Sequence, residues 1–162
     1  MTKNKRAMLI GAIGSGKSTL TKALLGYEPA AVKTQALVYH DWIVDTPGEY
    51  TENPMYYRTI MATSLEVTHV LFIQDATHET SIFPPGFSKG INKQPIGIIT
   101  KADDPAADCE RAFRLLRKVM PKGPVVVTSA FEGTGTDLVK ALVFAASEEE
   151  TEALMNQADQ KM

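Results

Sequence analysis

Apolar residues in this chain gather in short unbroken runs, separated by stretches where they recur every three or four positions. Ala7–Ile10, Val70–Asp75, Ile96–Thr100 and Pro124–Ser129 are such runs. Each is too short for a helix and continuous enough for a strand buried on both faces. Leu20, Ala23, Leu24 and Leu25 have helical spacing, and Met55–Leu65, Ala106–Met120 and Thr136–Ala146 read as helices. Ala36–Tyr39 and Trp42–Asp45 read as two strands joined by His40-Asp41 in a hairpin, with loops over Gly26–Gln35 and Thr46–Pro54.

Strands alternating with helices predict an α/β domain over residues 1–146. The expected architecture is a mostly parallel, twisted sheet of about six strands, with one antiparallel edge hairpin and helices on both faces. Ala76–Gln94 carries two prolines and two glycines and no helix signal, which leaves one flank of the sheet thinly covered. Phe83 and Phe87 then either plug that gap or form a partner surface. Residues 147–162 read as an acidic, frayed helical tail with Leu154, Ala158 and Met162 spaced four apart, for which a docking role is the alternative.

Composition narrows the function classes. Over 162 residues, 44% hydrophobic and 22% charged is ordinary for a globular domain. A net charge of −2 gives no attraction to nucleic acid or anionic lipid. No apolar run approaches a membrane span, and Met1–Arg6 leads into a strand without a signal-peptide core, so a cytoplasmic location is expected. Cys109 is alone, which rules out a disulfide framework and favours a small packed residue over a nucleophile. His40, His69 and His78 lack metal-ligand spacing.

The chemistry concentrates behind the strands. Gly11-Ala-Ile-Gly14-Ser15-Gly16-Lys17-Ser18-Thr19 fits G-x-x-x-x-G-K-[ST], between a predicted strand and a predicted helix. Glycines let the backbone curl its N–H groups around a polyphosphate, Lys17 adds a cation at the β/γ-phosphates, and the Ser18 hydroxyl suits Mg2+. Asp45-Thr-Pro-Gly48 ends the next strand, where Asp45 can hold the Mg2+ hydration shell through water and Gly48 can offer its N–H to a γ-phosphate. Thr34, in the loop before the hairpin, is a candidate Mg2+ ligand that senses the γ-phosphate. Thr100-Lys101-Ala-Asp103 supplies a carboxylate that matches the paired N–H donors of guanine, with the Lys101 stem over the base. Ser129 and Ala130 are small residues where a base edge needs close approach.

These elements resemble the Ras-like P-loop GTPases over roughly residues 6–146. More narrowly, Lys33-Thr-Gln-Ala36, Asp45–Tyr50, Phe83–Phe87 and Pro95–Asp103 look like the EutP/PduV family of ethanolamine and propanediol utilisation. That resemblance implies GTP and GDP as ligands, Mg2+ as cofactor, and a microcompartment shell or pathway enzyme as partner. It also implies a cytoplasmic protein associated with bacterial microcompartments. Departures from the broader pattern imply slow, partner-controlled turnover. Thr100 stands where Asn is usual, which predicts weaker loop packing. Glu49 replaces a water-orienting Gln, and no Arg lies between Gly26 and Tyr57 to serve as a finger. Ile13 obstructs a finger from a partner, and Gly14 replaces the Asn of potassium-activated members. Lys17, Thr34, Gly48 and Glu49 are therefore the catalytic candidates. Two other readings remain open. One is phosphoryl transfer to a small carboxylate such as acetate, for which Arg58 and Lys33 are the nearby cations. The other is a non-hydrolysing module that uses bound nucleotide to shape an interaction surface.

Overall fold

The computed structural model describes residues 5–27 and 37–160, with side chains to residue 158. Thr34 and Lys33 lie outside the described residues. Among the described residues, six strands form one sheet: β1 Ala7–Ile10, β2 Val38–His40, β3 Ile43–Asp45, β4 His69–Asp75, β5 Gln94–Thr100 and β6 Val125–Val127. Their order is β2-β3-β1-β4-β5-β6, with β2 and β3 antiparallel and every other pair parallel. This is an α/β Ras-like P-loop fold.

The two-residue period of the strands splits the core into two layers. Met8, Ile10, Val70, Phe72 and Ile99 face one side. There they meet Ile60 of α3 Tyr57–Ser64, and Ala112, Leu116 and Val119 of α4 Cys109–Val119. Leu9, Leu71, Ile73, Ile96 and Ile98 face the other. That layer is closed by Leu20 and Leu24 of α1 Lys17–Leu25, and by Val139, Leu142 and Val143 of α5 Thr136–Phe144. Gly97 lets β5 approach α4, because a Cβ there would stand 3.1 Å from Met120 Sδ and 3.2 Å from Leu116 Cδ1.

Several boundaries depart from the sequence expectations for local reasons. The hairpin connection is Asp41-Trp42 rather than His40-Asp41. Asp41 takes the turn at φ 53, which a short polar residue tolerates. Trp42 is drawn into the layer below, edge-on to Phe144 at 5.2 Å. The expected loop after β3 contains a short helix, α2 Gly48–Glu52, in which the Tyr50 N–H reaches Pro47 O at 3.0 Å. The helix expected from Met55 begins as a 3-10 turn, Pro54–Tyr56, capped by Asn53 Oδ1 accepting from the Met55 N–H. Tyr56 stacks on Tyr50 at 4.6 Å, and Tyr57 packs edge-on against Phe87 at 5.2 Å. The α4 helix starts three residues later than expected, because Asp108 caps it through Arg111 N–H at 3.0 Å.

Between β4 and β5 there is only a 3-10 turn, Phe87–Gly90, in place of a full helix. Phe83 and Phe87 are buried against Phe72, with ring centroids 5.5 and 6.3 Å away, so they plug the core rather than present a partner surface. The segment expected to fray forms α6 Glu148–Gln160, whose half-buried Leu154 and Met155 pack against the α1–α5 layer. Ser147 caps it, its Oγ accepting from the Glu150 N–H at 3.2 Å.

Candidate functional site

The turn from β1 into α1 is built by glycine. Gly14 and Gly16 hold φ of 76 and 94, in the region that side chains avoid. A Cβ on Gly11 would stand 2.9 Å from Ser15 Oγ and 3.0 Å from Ile73 Cβ. Gly16 caps α1 without a side chain, and no acidic residue lies in the first turn. The leading amides of a nine-residue helix therefore keep their donors and dipole for an external anion. Lys17 is 8% exposed, and its ammonium donates to Gly11 O at 3.0 Å. Burial lowers its pKa, against the opposing charges of Asp45 and Glu52.

Ala12, Ile13, Gly14, Gly16 and Lys17 share a cavity of about 570 Å3 with the exposed Ser18 and Thr19. Its other wall is Val38, Asp45, Thr46, Pro47 and Gly48, and Lys101 closes one end. Thr46 Oγ1 donates to Leu9 O at 2.7 Å and fixes the turn after β3 to β1. Burial raises the Asp45 pKa despite Lys17, His40 and the Thr46 N–H, and Asp45 Oδ1 is buried without a hydrogen-bond partner. A desolvated ammonium beside a desolvated carboxylate suits a ligand that carries both signs, such as a polyphosphate with a divalent cation. Gly48 meets the phosphate loop directly, where a Cβ would stand 2.7 Å from Ile13 Cα and N. The Ile13 side chain projects outward at 63% exposure. Glu49 follows Gly48 in the first turn of α2, half-buried and outside the cavity lining.

A second cluster forms at the carboxyl ends of β5 and β6. Thr100 Oγ1 donates to Ser15 O at 2.6 Å, so this residue makes the link to the phosphate loop that the sequence predicted to be weak. Lys101 adopts φ 62, which costs a residue with a Cβ about 1–2 kcal/mol. Its ammonium is held by Gly14 O at 2.8 Å and Asp75 Oδ2 at 2.8 Å. Asp103 is exposed, and Ser129 Oγ donates to its Oδ1 at 2.7 Å, which fixes one carboxylate oxygen and leaves the other free to point outward. Ser129 Oγ also accepts from the Glu132 N–H at 3.1 Å, and Ala130 follows at half burial. Thr128 Oγ1 donates to Ile99 O, and the Ala102 N–H to Thr128 O, so the two strand ends hold one another.

The structure thus brings Gly14, Gly16–Thr19, Asp45, Gly48 and Lys101 together around one cavity. Its lining does not include Gly11, Ser15, Thr100, Asp103, Ser129 or Ala130, although Ser129 and Asp103 are joined to each other. Two participants escaped the sequence reading. Glu52 faces Lys17 electrostatically from the end of α2. Asp75 lies at the end of β4, where the same strand-end rule pointed, but a lone Asp after an apolar run carries no motif. Burial lifts the Cys109 thiol pKa, with Asp108 adding to it, and that leaves the thiol poorly nucleophilic. Among the described residues no helix is long and apolar enough to cross a membrane.

Comparison with known proteins bears on this arrangement. The sequence profile of the PduV-EutP family, described as ethanolamine utilisation - propanediol utilisation, matches residues 4–145. The propanediol utilization protein PduV of Citrobacter freundii is 38% identical over 135 residues, 82% of this chain and 89% of that protein. A Salmonella typhimurium protein named "Probable acetate kinase EutP" is 33% identical over 151 residues, 92% of this chain and 95% of its own length. Its namesake in Escherichia coli K12 is 37% identical over 114 residues, 69% and 72% of the two chains.

Proposed function

The chain belongs to the PduV-EutP family of ethanolamine and propanediol utilisation, and from that premise we infer that it is a Mg2+-dependent guanine-nucleotide-binding protein that hydrolyses GTP slowly. One observation supports the reading: the Asp103 carboxylate, one oxygen held by Ser129, follows two residues after Lys101, whose ammonium is bonded to Gly14 O in the phosphate loop. A base bound there meets an acceptor that pairs with the ring N–H and exocyclic amine of guanine and repels the acceptor edge of adenine.

The residues divide the work. Amides of Gly14–Thr19 and the Lys17 ammonium hold the β- and γ-phosphates and stabilise charge on the transferring group. The donor set fits Mg2+: the Ser18 hydroxyl would hold it, and the unpartnered Asp45 Oδ1 would accept from its bound water. Among the described residues no cluster of three His, Cys, Asp or Glu offers another metal site. When bound, the ion neutralises phosphate charge. Thr34 is a further ligand in this proposal, from the segment outside the described residues. The Gly48 N–H senses the γ-phosphate, and Glu49 orients the attacking water at the cost of repelling the phosphate. With no arginine among the described lining residues, turnover is slow and awaits a partner in the cytoplasm, a microcompartment shell or a pathway enzyme.

The names of the Salmonella and Escherichia relatives favour a second reading, transfer of the phosphoryl group to acetate. Against it, Lys17 and Lys101 are the only cations among the described lining residues, and both are engaged. Single-turnover incubation with Mg2+ and GTP, with and without acetate, separates the two. Slow phosphate release indifferent to acetate is expected, and acetate-dependent acyl phosphate overturns the hydrolytic reading.

A further inference from the structure

Asp75 is 2% exposed, at the last position of β4, paired in register with Thr100. Its Oδ1 is occupied by the Thr77 N–H at 2.8 Å and the Thr77 hydroxyl at 2.6 Å. Its Oδ2 faces the Lys101 ammonium at 2.8 Å, with His78 Nε2 at 3.6 Å. Burial works to raise the carboxyl's pKa, but the hydrogen bonds from Lys101 and Thr77 and the Lys101 charge outweigh it, so Asp75 stays ionised well below neutral pH.

The geometry gives this buried charge a purpose. The Lys101 ammonium bridges two elements, Asp75 in the sheet and the Gly14 carbonyl in the phosphate loop. Gly14 has a left-handed backbone and nothing within 4 Å of where a Cβ would stand, so packing does not hold it. A lysine held by one carbonyl alone swings freely on its four-carbon stem, because the rotamer entropy of that stem opposes a single bond. The Asp75 carboxylate adds an ion pair at the same nitrogen, so the residue two positions before Asp103 is tied to the sheet and to the phosphate loop at once.

We propose that Asp75 is a positioning residue: through Lys101 it locks the base wall and the phosphate loop into one unit and so sets how long a nucleotide stays bound. This rests on the guanine-nucleotide reading for the identity of the ligand, but not for the link itself.

Asp75→Asn, close to isosteric, removes the charge and keeps the side chain's shape. Lys101→Met removes the same link from its half-exposed end and keeps the stem. Release of fluorescent GDP should quicken about tenfold in each variant, and the double variant should be no faster than the faster single one, since both break one interaction. Hydrogen exchange in the nucleotide-free protein should quicken at the amides of Gly14–Gly16 and Ala102–Asp103 in both variants, while β1 and β4 stay protected. A residue acting only on global stability would instead quicken exchange throughout and combine additively with Lys101→Met. Wild-type GDP release from Asp75→Asn, full multiplication of the two effects, or unchanged exchange in the phosphate loop overturns the inference. If the wild type retains ADP as long as GDP, the guanine reading fails, and the exchange measurement still decides the role of Asp75.

Discussion

Gly48→Ala tests the proposed sensing of a γ-phosphate. The added Cβ would stand 2.6 Å from Ile13 Cγ1 and 2.7 Å from Ile13 Cα and N, where ordinary contact begins at 3.4 Å. The Cγ1 clash is relieved by rotating an exposed side chain, but the backbone clash is not, so Gly48 has to lift from the phosphate loop by several tenths of an ångström. Overpacking of this kind costs about 1–3 kcal/mol. The cost falls on the arrangement in which Gly48 touches the loop, and in the proposed mechanism a γ-phosphate needs that arrangement while GDP does not. The affinity for a non-hydrolysable GTP analogue should therefore fall about 10- to 100-fold, with the affinity for GDP changed by less than about threefold and hydrolysis reduced with the analogue affinity. Calorimetric titration of both nucleotides with Mg2+ measures this. Equal losses for GDP and the analogue, or no loss for either, would refute the reasoning.

Three further outcomes are expected. Phe83→Ala opens the plug between Phe72 and Phe87 and should cost about 3–5 kcal/mol, seen as a lowered urea midpoint; a loss below about 1 kcal/mol would show the ring to be dispensable. Burial, with Lys5 adding, lowers the His69 pKa from 6.5 to about 4. The unfolded chain then binds the extra proton between those values, so stability is full above pH 6.5 and declines by up to about 3 kcal/mol as the pH falls toward 4. His69→Gln should flatten that stretch of the stability profile, and an unchanged slope would place the proton elsewhere. Chelating Mg2+ should weaken GDP binding to the wild type by about tenfold or more but have much less effect on Asp45→Asn; equal sensitivity of the two proteins would remove Asp45 from the metal.

The parts of the fold that rest on periodicity were readable in the sequence. Met8 and Ile10 face one layer and Leu9 the other because strand side chains alternate, and no tertiary information is needed to see it. The glycine turn from β1 into α1 was readable because its spacing puts glycine at the two positions, Gly14 and Gly16, that take positive φ. What escaped depends on contacts between distant segments. Asp75 acquires its partner only through the register of β4 on β5, which sets it beside Thr100 and hence beside Lys101. The α2 helix is five residues long and begins at a Pro-Gly pair, which reads as a turn. The acidic run at residues 148–150 suggests fraying, but Leu154 and Met155 two turns on supply the packing that holds α6. Thr100 shows the opposite limit: a departure from a family pattern predicted weak packing, yet its hydroxyl reaches Ser15 O.

The central claim is that Asp103 gives this phosphate loop a guanine nucleotide. Its most direct test is a competition titration of the Mg2+-loaded wild-type protein with GTP against ATP, repeated on Asp103→Ala. The account predicts GTP bound on the order of 100-fold or more tighter than ATP, with the preference abolished in the variant. Equal affinities in the wild type, or a preference that survives Asp103→Ala, would contradict it.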